Sequence, residues 1–160
     1  MSEEKKYSLK QAHQPFAIEC NGETWNLLGK PDRTPDEDEQ MLFAAYASCY
    51  HWSQAGTPLH HQRGVWMLAH VCTELGMKDE ALRNARRCLA LTTQYEDMMA
   101  DFDKAYALMA LARAHAMVGN REEGAHYLTL AGAVGEVIDD EEDKKIFMDD
   151  FNTSNWFGIK

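Results

Sequence analysis

The feature that most limits what this chain can fold into is a pattern stated twice. LAHVCTELGMKDEALRNARRC begins at Leu68 and LARAHAMVGNREEGAHYLTLA at Leu111. Within them Ala69, Cys72, Gly76, Ala81 and Cys88 stand at the same offsets as Ala112, His115, Gly119, Gly124 and Ala131. Small residues before and after a glycine at fixed intervals describe two helices that approach closely on small side chains, with the glycine turning the chain between them. Each unit is a helical hairpin whose apolar face needs a neighbour, so hairpins must stack.

The segments around these hairpins read as helices too. Val65, Leu68, Ala69, Cys72 and Leu75 recur at spacings of three and four between Pro58 and Gly76, gathering on one helical face. Ala81, Leu82, Ala85, Cys88 and Leu89 do the same from about Asp79 to Thr93, and Phe102, Ala105, Met109, Ala112 and Ala116 mark a helix closing at Gly119. The segment from Arg121 to Ile138 carries Gly124, Gly132 and Gly135, which implies close approach to a neighbour. Asp139 to Asp143 opens a short helix reaching Phe151, and Pro35 followed by four acids opens one running to about Ala55, since negative charge favours a helix N-terminus. At the corner Gly56-Thr57-Pro58, Gly56 is expected in the left-handed conformation, Thr57 as N-cap and Pro58 as first helical residue. Residues 1–34 read as irregular, with two short helical pieces, Ser8 to Glu19 and Glu23 to Leu28, around Asn21-Gly22. No period-two run suggests a strand, so the chain is expected to be all-α in one domain: irregular N-terminal helices over 1–34, stacked hairpins over 35–151 and an aromatic tail over 152–160.

The doubled motif resembles the tetratricopeptide repeat (TPR) family. That two-helix repeat favours a small residue in its first helix, a glycine seven positions on and small residues twelve and nineteen positions on, as in both copies here. The resemblance covers residues 65–138. The copies lie 43 residues apart, against about 34 in that family, and Val65, Leu108, Ala85 and Leu128 stand where aromatics are common in it. What the resemblance implies is a short TPR-like α-solenoid of about seven helices, built from antiparallel hairpins, whose concave side holds a peptide or partner helix. No partner-clamping residue of the family has a counterpart to carry over.

Composition narrows the partners. The chain has 160 residues, 45% of them apolar, with 26 acidic against 16 basic side chains and a net charge of −10, which repels phosphate backbones and anionic lipid surfaces. Arg83, Arg86 and Arg87 are diluted by Asp79 and Glu80, so neither nucleic acid nor membrane is expected as a partner. Cys20, Cys49, Cys72 and Cys88 form no CxxC pair, and three of them lie on apolar stripes; they read as small buried hydrophobes of a reducing cytoplasm. The segment MSEEKKYSLK lacks a signal-like apolar run, in keeping with a cytoplasmic protein.

Candidate sites remain. His51, His60, His61 and His70 lie close in sequence without the i, i+3 or i+4 pairing that helical metal sites use, and no catalytic motif or phosphate-cradling loop occurs, so no metal, cofactor or enzymatic activity is expected. A metal- or ligand-dependent enzyme using these histidines is one alternative; a small acidic chaperone for a secreted or aggregation-prone client is another. Arg63, Trp66 and His70 share a face opposite the Val65, Leu68, Cys72 stripe. Either Trp66 packs on the preceding helix near Trp52 with Arg63 paired to an acid there, or these residues line the groove, with Arg63 receiving a partner's carboxylate. Tyr106 and Arg113, with His115, His126 and Tyr127, form a second candidate surface, with His115 read as a core histidine. In the tail, Trp156, Phe157 and Ile159 are expected to fold back as a cap on the last hairpin or into the groove or, alternatively, to dock on a second subunit as a homodimer.

Overall fold

The computed structural model describes residues 4–160, and among these the regular structure is seven helices and one 3-10 turn, with no strand. In order they are α1 (Leu9–Leu28), α2 (Pro35–Ala55), α3 (Pro58–Glu74), α4 (Lys78–Gln94), the turn Glu96–Met98, α5 (Asp101–Met117), α6 (Arg121–Glu136) and α7 (Glu141–Thr153). Each helix packs on the next; α5 also meets α3 and α7. Three hairpins, α1–α2, α3–α4 and α5–α6, therefore stack in chain order, with α7 laid against the last.

The two copies of the sequence motif take one backbone form. Gly76 and Gly119 both enter the left-handed region, at φ 72° and 86°, where a side chain would be strained. In each copy the residue after the glycine donates back to the carbonyl five positions earlier in the helix, Met77 N to Cys72 O at 2.9 Å and Asn120 N to His115 O at 2.9 Å. This pattern closes a helix by satisfying its last carbonyls. The matched small residues Ala69, Ala112, Cys72, Ala81, Gly124, Cys88 and Ala131 are all buried at the crossings. A Cβ on Gly124 would stand 3.2 Å from the Ala112 carbonyl oxygen, so glycine here sets the distance between α5 and α6.

Helix α5 is the spine. It is buried on every side, from Asp103 through Met117 with few exceptions, and its alanines at 105, 107, 110, 112, 114 and 116 let α3, α4, α6 and α7 all approach it. A helix with small and apolar residues on most of its faces belongs in a core, and its buried polar groups Asp103, Arg113 and His115 all have hydrogen-bond partners.

Two expectations are corrected. The N-terminal segment is one helix of 20 residues, not two irregular pieces. Ser8 and Gln11 form a reciprocal cap at its start, and Ala17 and Thr24 are buried along it. Ser48 Oγ of α2 donates to the Ala17 carbonyl at 2.9 Å. That packing outweighs the hydrogen bond lost at Pro15 inside the helix and the weak propensity of Gly22. Gly56 is extended, at φ −89° and ψ 179°, not left-handed: α2 ends with a straight step into Thr57, and the turn needs no special backbone. Thr57 donates its N–H to Nδ1 of His60 at 3.1 Å, so a histidine caps α3 where a carboxylate or amide is usual.

Candidate binding groove

The first helix of every hairpin, together with α7, faces one concavity. Asn21 and Trp25 come from α1; Gln62, Arg63, Trp66 and Met67 from α3; Phe102, Asp103 and Tyr106 from α5; Ile146 and Asp150 from α7; they enclose about 480 Å³. A smaller space of about 150 Å³ continues from it past Trp66 and Tyr106 to His70, Thr73, Arg113 and Ser154. None of the lining comes from α2, α4 or α6.

Trp66 stands at the centre. Its ring stacks on His70 at 5.1 Å and 10°, lies 6.1 Å from Trp25 at 29°, and meets Tyr106 edge-on at 5.3 Å. Tyr106 in turn contacts Phe102 at 4.8 Å and Phe147 at 5.0 Å. The expected neighbour Trp52 is elsewhere, stacked on His60 at 4.4 Å. Trp66 thus turns toward α1 and α5 rather than toward the end of α2, because its face of α3 is the one that looks into the stack.

The charged residues are held by internal partners. Arg63 Nε donates to Asp103 Oδ1 at 2.8 Å, so its acid comes from α5 and not from the preceding helix. Asp103 is buried, and its other oxygen accepts the Ala100 N–H at 3.1 Å, capping α5. Arg113 is buried beneath the tail: Nε donates to the Asn155 carbonyl at 2.9 Å and Nη2 to Glu74 Oε1 at 3.0 Å. Tyr106 donates its hydroxyl to Asp150 Oδ2 at 2.5 Å. Burial and the adjacent carboxylate push the Tyr106 phenol well above its ordinary value, so it stays a donor. Burial, then Arg113, holds His70 below its ordinary value against the opposing pull of Glu74 and Asp150; it is neutral near pH 7. All five residues expected at a groove, Arg63, Trp66, His70, Tyr106 and Arg113, lie along these two connected spaces.

Other candidates scatter. His51 approaches His13 of α1, Nδ1 to Nδ1 at 2.8 Å, while His60 caps α3 and His70 lines the groove, so the four histidines of residues 51–70 do not converge. Among the described residues, no group of three or more His, Cys, Asp or Glu side chains is placed to hold a metal ion. His115 is buried, stacked on Tyr127 at 5.7 Å and paired with Asn120 at 3.3 Å; His126 is exposed on α6 beside it. The buried thiols are pushed up by burial, Cys49 and Cys72 to about 11 and Cys88 to about 12, so they are protonated and inert.

The tail lies on its own chain. Trp156 is buried, with Nε1 donating to the Phe151 carbonyl at 2.9 Å. Phe157 sits beneath the Arg113 guanidinium, 5.9 Å from ring centroid to carbon, and Ile159 reaches Gly124 of α6. Its turn takes Phe157 to φ 51°, with Asn155 Oδ1 accepting its N–H at 2.9 Å.

Trp25, Phe102, Ile146 and Asp150 were not legible as groove residues. Asn21 and Trp25 on α1, like Asp143, Ile146 and Asp150 on α7, do recur at helical spacing, but the same spacing marks any packed face. No helix among the described residues is long and apolar enough to cross a membrane. Compared with family models, with curated proteins and with solved structures, the chain finds no match.

Proposed function

We propose that this chain is a non-catalytic, TPR-like scaffold that binds a protein or peptide partner in the groove, in the cytoplasm. One observation carries the reading: only the first helices of the hairpins and α7 line the cavity, and each brings an aromatic or large apolar side chain to it. Stacked hairpins generate such a surface because every repeat presents the same helix to the same side. The doubled motif supports the repeat family, and about 480 Å³ suits a few side chains of a peptide. Within the groove Trp25, Trp66 and Tyr106 supply contact area, His70 extends it, and Arg63 and Arg113 brace the walls through Asp103 and Glu74.

Capture from the native lysate, with the wild-type chain and Trp25→Ala side by side, tests this. Trp25 is 48% exposed, so its loss removes groove surface at small cost to the fold. A stoichiometric companion present with the wild type and lost with the variant is expected; a companion held equally by both, or none, overturns the reading.

A second reading is a small acidic chaperone that shields an aggregation-prone client. Exposed Phe16, Phe43, Tyr46 and Tyr50 on α1 and α2 favour it, since apolar surface of that kind marks interaction sites. Suppressed aggregation of a denatured client at equimolar ratio, lost on changing Phe43 and Tyr50 to serine, is its expected outcome; no suppression excludes it.

A further inference from the structure

The charged side chains of the groove are not all paired with one another. Arg63 is matched by Asp103 and Arg113 by Glu74, and His70 is neutral. Asp150 is left with a phenol as its partner, and a neutral donor does not cancel its charge. No cationic side chain pairs with Asp150 among the described residues. The nearby lysines turn away, Lys144 to Glu136 and Lys145 to Asp149.

The Asp150 carboxylate lies among the aromatic rings. Trp25, Trp66 and Tyr106 line both connected spaces with Asp150, and aromatic faces attract cations within about 6 Å, tryptophan most strongly. In a concavity walled by apolar groups the attraction is screened less than in open water. Met67, Phe102 and Ile146 offer a surface for methylene groups, the other half of a long basic side chain.

Resting on the groove reading above, we propose that the groove takes a lysine or arginine side chain of a partner peptide, its charge seated against Asp150 amid Trp25, Trp66 and Tyr106. The polarity is opposite to the carboxylate anchor that Arg63 by itself suggests: that guanidinium already holds a buried acid. A second copy of this chain, also at −10, is a poorer occupant than a basic partner, which the field of the whole protein attracts.

The test uses three short peptides, identical except for a central lysine, norleucine or glutamate between leucines, titrated into the intact protein by calorimetry at low salt. The lysine peptide is expected to bind at least about tenfold tighter than the other two, a difference near 1.4 kcal/mol. Asp150→Asn, which keeps an acceptor for Tyr106 and hence an unchanged melting curve, removes that advantage. Trp25→Ala weakens the lysine peptide as well. If the norleucine or glutamate peptide binds equally or better while Trp25→Ala still weakens it, the cation assignment is overturned and the groove reading stands. If no peptide binds, or Trp25→Ala changes none of them, both are overturned.

Discussion

The two ends of the stack are finished differently. At the carboxyl end α7 and the tail close the last hairpin: Phe147 is fully buried, and Phe151 and Trp156 nearly so. The α6 face beneath them is cut back to glycine, since a Cβ on Gly135 would fall 2.3 Å from the Phe147 ring and one on Gly132 3.2 Å from Phe151. At the amino end nothing comparable among the described residues lies over α1 and α2, and Phe43 and Tyr50 remain 62% and 58% exposed. A hairpin exposes whichever face has no next element. One end has been supplied with a covering helix shaped to it, and the other keeps aromatic surface in water.

That contrast is breakable by mutation. Phe147→Ala is expected to cost about 3–5 kcal/mol, the range for emptying a buried aromatic site, measured by urea unfolding; a loss below about 1 kcal/mol would mean that α7 is not packed as a cap. Removing residues 154–160 exposes the site of Trp156 and frees Arg113 from Asn155, for an expected loss of about 3 kcal/mol at unchanged molecular mass. Dissociation of a dimer on the same truncation would assign the tail to a neighbouring subunit instead. Acidification sharpens the picture at the centre. Burial holds His70 and His115 below the ordinary 6.5, so as pH falls the unfolded chain takes up their protons first and gains stability relative to the fold. The contribution is complete above about pH 6.5 and is lost below it, and the melting temperature should drop between about pH 7.5 and 5.5 by less in the His70→Gln, His115→Gln double variant. At the open end Phe43→Ser and Tyr50→Ser should each shift stability by no more than about 0.5 kcal/mol; larger losses would show these rings to be covered.

How much of this the sequence disclosed depends on where local rules and packing agree. Gly76 and Gly119 demanded their turns, and the small residues at matched offsets pointed to close helix crossings, so the central hairpins and most helix boundaries were readable. α1 was not, because Pro15 and Gly22 break a helix by local propensity while Ala17 and Thr24, buried on α2, hold it together. Gly56 was misread for the complementary reason: glycine permits the left-handed form without requiring it. At the groove, Arg63, Trp66 and His70 could be placed on one face of α3, but their partners on α5, α1 and α7 are 40 residues or more away in most cases, such as Asp103 from Arg63. Periodicity reports which side of a helix a residue occupies and carries no information on which helix it will meet.

The most direct test of the groove lies in the four tryptophans themselves. Trp25 and Trp66 line it, whereas Trp52 stacks on His60 and Trp156 is buried under the tail. Following the four indole N–H resonances while the lysine peptide is added should move those of Trp25 and Trp66 and leave Trp52 and Trp156 in place. Movement of Trp52 or Trp156 with Trp25 and Trp66 unchanged would put the binding surface elsewhere and contradict the account.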